Sequence, residues 1–243
     1  MNILLPIIIL IIWFVLKYYN SYSKYYKNKL NIIQTWKNND IPVKYKPLVD
    51  KVKYLNPNCN YLFFTDSDID IFIKSKFPQY YDFFKNLPHV IQKIDFFRYL
   101  AIYYYGGVYL DLDINLYKSL DTLSENTKCV FPLEFERNTD KLLQDQGYLG
   151  LVGNYAFYAP KKHPFIKKII DNIVNKRIKI QFGKSGNKYM KYVFYTTGPV
   201  MITQSYIDYK SKNQIDIIKK QPFEKSCFGY YGKHVLFGSW KKK

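Results

Sequence analysis

A helical stretch, a glycine pair and a strand ending in two aspartates lie back to back between Val90 and Asp113, and no other run constrains the fold as tightly. Ile91, Ile94, Phe97, Leu100, Ala101 and Tyr104 recur at spacings of three and four, which predicts a helix over Val90–Tyr105. Gly106 and Gly107 end it, and Val108-Tyr109-Leu110 reads as a strand running into Asp111-Leu112-Asp113. Upstream, Asn31–Trp36 and Tyr61–Thr65 read as two further strands, and Asp66 or Ser67 is placed to cap a helix through Ile69, Ile71, Phe72 and Ile73 that stops near Pro78. Repeated βα units imply an α/β fold, Rossmann-like, with a mixed, mostly parallel sheet, and ligands then bind at the carboxyl ends of its strands.

The two aspartates carry the chemistry. Side chains alternate along a strand, so Asp111 and Asp113 are expected on the same side of its end. Paired carboxylates repel, and each has a raised pKa unless a cation sits between them. Mn²⁺ or Mg²⁺ supplies that cation and in turn holds a diphosphate. On the preceding helix Asp95 and Arg98 share a face, three residues apart, where Arg98 meets a phosphate and Asp95 accepts from sugar hydroxyls. A bare D-x-D says little: Asp66-Ser67-Asp68 and Asp68-Ile69-Asp70 repeat the spacing and read as loop and cap residues. The composite D-x-x-R followed by G-G-x-Y-x-D-x-D is the specific signal.

Composition narrows the partners. The chain has 243 residues, enough for one sizeable domain, and a formal charge of +18. Such a charge ordinarily points to nucleic acid or an acidic membrane. Here the lysines are scattered and arginine, the usual base reader, is scarce. Lys, Asn, Ile and Tyr share A/T-rich codons, so base composition accounts for the bias, and no nucleic-acid partner is expected. Three cysteines, Cys59, Cys129 and Cys227, show no C-x-x-C or zinc spacing.

Ile3–Leu16 is an apolar run without charge, followed by Tyr18, Tyr19, Tyr22, Tyr25 and Tyr26. It is shorter than the ~20 residues needed to span a bilayer, but the tyrosines resemble an interfacial belt that extends it. Residues 1–29 are therefore expected to form a single-pass membrane anchor and stem, and residues 30–243 the catalytic domain. Lys17, Lys24, Lys27 and Lys29 follow the run, so the positive-inside rule puts that domain in the cytosol, whereas a Golgi- or ER-type lumenal enzyme needs the reverse.

At these motifs the chain resembles the DXD-containing glycosyltransferases of family 32, the Och1-like and inositol phosphoceramide mannosyltransferase group, and more distantly the glucosylating clostridial toxins. Ile32-Ile33-Gln34-Thr35-Trp36 resembles that family's first strand, with Ile33 where His is common. Asn154 with Pro164 resembles its N…HP segment, Thr197-Gly198-Pro199 its T-G-P, and His234 with Gly238-Ser239-Trp240 its closing H…SW element. The resemblance implies a GT-A fold, a divalent metal, a nucleotide-sugar donor (GDP-mannose, or a UDP-hexose) and transfer to a glycolipid or glycan with retention of configuration. It further implies Asp111, Asp113 and His234 as metal ligands, Asp95, Arg98, Asn154 and Gly198 around the donor sugar, Thr35 and Trp36 beside the nucleotide, and Ser239 and Trp240 closing over the diphosphate. Two other readings compete. A haloacid dehalogenase-type phosphatase also ends a strand in D-x-D, but has Thr or Val where Asn115 stands. A basic, aromatic-rich polyanion-binding module leaves the Asp95/Arg98/Asp111/Asp113 grouping unexplained.

Overall fold

The computed structural model describes residues 9–17, 29–134, 150–175, 188–219 and 227–237. Its centre is a seven-stranded sheet, ordered β2 (Asn60–Phe64), β1 (Asn31–Thr35), β3 (Gly107–Leu110), β7 (Ala156–Ala159), β5 (Cys129–Glu134), β6 (Leu151–Val152), with β8 (Ile215–Ile218) also on β5. The pairs β1–β2, β1–β3 and β5–β8 are parallel, while β3–β7, β5–β7 and β5–β6 are antiparallel. The sheet is thus evenly mixed rather than mostly parallel. β7 causes the difference, because it inserts antiparallel between β3 and β5 instead of arriving through a crossover helix.

Strand alternation sorts the core. Ile33, Tyr109, Phe131 and Phe157 face one side, against helices Asp66–Lys76, Val90–Tyr105, Pro164–Val174 and Pro199–Ile207. Their neighbours Ile32, Val108, Val130 and Tyr158 face the other, against helix Lys46–Leu55 and a small antiparallel sheet. Phe131 and Phe157 stack at 4.9 Å and are fully buried, each contributing roughly 1.5–3 kcal/mol of transfer free energy. The small sheet runs β4 (Ile114–Leu116), β10 (Gly232–His234), β9 (Cys227–Phe228).

Val90–Tyr105 is helical as predicted, and the glycine pair ends it for a definite reason. Gly107 has φ +108°, and a Cβ there would lie 2.2 Å from the Asn31 carbonyl oxygen, so only glycine lets β3 close on β1. Helix Asp66–Lys76 is capped by Thr65, not by Asp66 or Ser67. Thr65 Oγ1 accepts from the Asp68 N–H while the Asp68 carboxylate accepts from the Thr65 N–H, a reciprocal box that the apolar pattern does not reveal. Asp70 of the second decoy pairs with Lys85 and accepts from Tyr81, far from any ligand chemistry.

Residues 9–17 are helical, with Ile9–Leu16 each 52–60% exposed. Among the described residues no helix is long and apolar enough to cross a membrane, so the expected spanning helix is not seen. The rest of the predicted anchor and stem lies outside the described residues.

His163, beside Pro164, caps helix Pro164–Val174: its Nδ1 accepts from the Phe165 N–H at 3.2 Å and lies 3.0 Å from Cys129 Sγ. An acceptor nitrogen must be unprotonated, and burial holds this imidazole below its ordinary 6.5. The unfolded chain therefore takes up the proton first. The contribution is complete above the ordinary value and is lost as pH falls through the interval below it. Urea unfolding at pH 7.5 and 5.5 should show a smaller drop in His163→Asn, whose amide caps without titrating. An equal drop in both proteins would exclude His163 as the source.

Candidate active site

β1 and β3 run parallel, so Thr35-Trp36 and Asp111 emerge at the same edge of the sheet. Asp111 and Asp113 are not a continuation of β3. Residues 111–113 turn between β3 and β4, with the Ile114 N–H donating to the Asp111 carbonyl at 3.2 Å. Leu112 is buried with Tyr45 and Val49. The two carboxylates are thus brought to one side by a turn pinned on Leu112, rather than by strand alternation.

The third member comes from the small sheet. β10 pairs with β4 so that His234 stands opposite Ile114. Its Nε2 lies 3.1 Å from Asp113 Oδ1. The Val235 N–H donates to the Asp113 carbonyl and the Phe237 N–H to Asp113 Oδ2, both at 2.9 Å. One ligand atom each from Asp111, Asp113 and His234 lies within 4.8 Å of the others. Two carboxylate oxygens and an imidazole nitrogen converging on one point are a donor set suited to a divalent cation.

Charge distributes unevenly over the pair. Burial lifts the Asp111 carboxyl, and the neighbouring Asp113 lifts it further against the pull of Arg98. Burial also acts upward on Asp113, but the His234 imidazole and the Phe237 N–H outweigh it and hold that carboxyl below the usual range. A carboxyl is raised where compensation falls short, at Asp111, and is held down at Asp113, where His234 supplies the compensating partner.

Behind this triad lies a buried polar cluster. Arg98 Nη2 is 3.1 Å from Asp95 Oδ1 and 3.5 Å from Asp111 Oδ1, its Nη1 donates to the Asn154 carbonyl at 2.6 Å, and its plane lies 4.6 Å over the Tyr109 ring. Tyr109 in turn donates its hydroxyl to Asp111 Oδ1 at 2.9 Å. Asp95 accepts from Asn154 Nδ2 at 3.0 Å and from Thr197 Oγ1 at 2.8 Å. Burial is the largest influence on Asp95 and lifts its carboxyl to about 6, against the pull of Arg98 and of the Thr197 and Asn154 hydrogen bonds. Asp95 and Arg98 are each 3% exposed, so in this arrangement their contacts are mostly with each other and with the wall.

The T-G-P segment meets this cluster through Thr197, which also accepts the Tyr99 hydroxyl on its carbonyl; Gly198 supplies the start of helix Pro199–Ile207. Thr35 Oγ1 and Trp36 Nε1 are buried at the end of β1 without a hydrogen-bond partner, and the Trp36 ring packs 5.1 Å from Tyr45. Ser239 and Trp240 lie outside the described residues. Sequence reasoning did not assign roles to Tyr109, Tyr99 or Tyr155. Tyr109 carried a signal, since two residues before Asp111 puts it on the same side of β3. Tyr155 carried none; only the β3–β7 pairing brings it here.

Residues 42–130 match the family model described as a glycosyltransferase sugar-binding region containing the DXD motif. Over 206 residues the chain is 27% identical to inositol phosphoceramide mannosyltransferase 3 of Schizosaccharomyces pombe, covering 82% of this chain and 52% of that protein. It is 32% identical to a mannosyl phosphorylinositol ceramide synthase of Saccharomyces cerevisiae, covering 74% and 42%. Over residues 42–130 the chain carries the sugar-binding region of the DXD-containing glycosyltransferases. It spans about half the length of the curated relatives it matches. Its fold is shared with the ligand-free glycosyltransferase domain of the YGT toxin, at a TM-score of 0.54 and 7% identity, covering 79% of this chain and 80% of that one. The phosphatase and polyanion-binding readings fall with that assignment. The matched region holds Asp95, Arg98, Asp111 and Asp113 but not His234, which the glycosyltransferase fold adds from a distant strand.

Proposed function

We propose that this chain transfers a hexose, mannose first, from a nucleotide-diphosphate sugar to a hydroxyl of a glycolipid resembling inositol phosphoceramide, with retention of configuration. One observation carries the reading: Asp111, Asp113 and His234 converge on a point that Arg98 and Tyr109 back directly. The relatives named above carry mannose and inositol phosphoceramide in their names, which supports both donor sugar and acceptor class.

Asp111, Asp113 and His234 would hold Mn²⁺ or Mg²⁺, which supplies positive charge to a diphosphate leaving group. Arg98, kept ionised by Asp95 and Asp111, orients the carboxylate nearest the donor and adds fixed positive charge where negative charge develops. Asn154 and Thr197 fix Asp95 so that the guanidinium keeps its place. Thr35 and Trp36 present two unsatisfied donors at the end of β1, suited to a nucleotide's oxygens. The acceptor hydroxyl attacks the oxocarbenium-like anomeric carbon from the face the phosphate leaves, and the departing phosphate oxygen takes its proton. Ser239 and Trp240 are assigned to closing the site, and residues 1–29 to holding the domain at an endomembrane.

Thermal-shift measurement of the full chain in detergent tests this. A donor at a hundred times its dissociation constant adds about 2.7 kcal/mol to the folded state. GDP-mannose with Mn²⁺ should therefore raise the melting temperature by several degrees, and GDP-mannose with EDTA should not. If no nucleotide sugar stabilises the protein in a Mn²⁺-dependent way, the reading is wrong; stabilisation by a UDP-hexose alone corrects only the donor.

A further inference from the structure

We infer that Tyr155 is the positioning residue of the metal-binding triad, holding Asp111 and His234 together across two separate sheets. This rests on the proposed metal role of that triad. Tyr155 immediately precedes β7 in the large sheet, and three parts of it serve three partners. Its backbone carbonyl accepts the Asp111 N–H at 2.7 Å, which fixes the start of the turn carrying both aspartates. Its ring lies against the His234 imidazole at 4.4 Å between centroids and 27° between planes. Its hydroxyl donates to the Cys227 carbonyl at 3.0 Å, on β9, the strand paired with β10. The side chain is 3% exposed, so the hydroxyl has no water to fall back on and the ring has little freedom to tilt.

The arrangement answers a specific need. His234 Nδ1 is buried and has no hydrogen-bond partner. A ligating histidine ordinarily has its ring orientation fixed by a hydrogen bond from its second nitrogen. Here that bond is missing, and the flat face of Tyr155 takes over, with the ring itself tethered to β9. Asp113 contacts Nε2 but not the far side of the imidazole, so without Tyr155 the ring is held from one end only.

Loss of an outer partner of a ligand typically weakens metal affinity about 10–100-fold. In the 243-residue chain in detergent, freed of metal, titration with Mn²⁺ alone and detection of free ion by electron paramagnetic resonance should show that weakening in Tyr155→Leu. Tyr155→Phe, which keeps the stack but loses the tether, should weaken binding measurably but by less than Tyr155→Leu. Transfer activity of Tyr155→Leu should return towards the wild-type maximum as Mn²⁺ is raised, because the defect lies in occupancy. Phe131→Leu, a core substitution remote from the triad, serves as the control: it should lower the melting temperature and leave the Mn²⁺ midpoint unchanged.

The inference is overturned if Tyr155→Leu binds Mn²⁺ as the wild type does, or if Phe131→Leu shifts the midpoint equally. Should Tyr155→Leu fail to fold, Tyr155→Phe decides, and an unchanged midpoint there refutes the tether. Failure of the wild-type protein to bind Mn²⁺ would instead refute the metal reading on which this rests, so the two failures are distinct.

Discussion

Asp113→Ala should lower sugar transfer by about a hundredfold to a thousandfold, the range seen when a single charge-stabilising group is removed from an active site, and should also remove Mn²⁺-dependent donor binding. Asp113 is the carboxylate that stays ionised most readily, and it is tied to His234, Val235 and Phe237. Alanine removes a carboxylate of the proposed metal site together with its contacts to His234 Nε2 and the Phe237 N–H, while the backbone bond from Val235 and the β4–β10 pairing remain. The core does not depend on the Asp113 side chain: Phe131 and Phe157 stack on each other within the large sheet, so unfolding should remain cooperative. Transfer assays and a urea transition on the same preparation check both halves. Activity within tenfold of wild type, with a normal transition, would remove Asp113 from the mechanism.

Arg98→Ala has the largest expected effect on stability. Arg98 faces two carboxylates and a carbonyl in a site where it is 3% exposed, and removal of one partner from a buried charge cluster costs about 3–5 kcal/mol. The Asp95 carboxyl, already lifted to about 6, then loses its main opposing influence and moves further up. Arg98→Lys repairs little, because a single ammonium cannot reach Asp95, Asp111 and the Asn154 carbonyl together as a planar fork does. Chemical denaturation should place both variants well below wild type, with lysine closer to alanine than to arginine. A lysine variant as stable as the wild type would mean that charge alone, without the fork, holds the cluster.

The sequence made the local parts of this site legible and left the assembly hidden. The helix Val90–Tyr105, its glycine stop and the Asp95–Arg98 pair all depend on spacings of three or four residues, so periodicity finds them. The parallel β1–β2–β3 edge follows from βα alternation in the same way. β7 is a strand of four buried residues whose antiparallel insertion between β3 and β5 leaves no periodic trace. The role of His234 entered through the resemblance, because nothing in its neighbours marks it as a ligand. What places it beside Asp113 is the β4–β10 register, a property of two distant segments together. Thr197 stands out in the sequence only as part of the T-G-P segment, and its hydrogen bond to Asp95 spans 102 positions.

The division of the triad between a turn after β3 and a strand of the small sheet has a consequence for biogenesis. The contact from Phe237 to Asp113 joins positions 124 apart, so the acidic turn emerges from the ribosome long before the strand that completes it. Until then the two carboxylates have Arg98 and the Tyr109 hydroxyl beside Asp111 but lack His234 beside Asp113. On the proposed metal role, ion capture would therefore be among the last events of maturation, because the strand carrying His234 is synthesised after every strand of the large sheet.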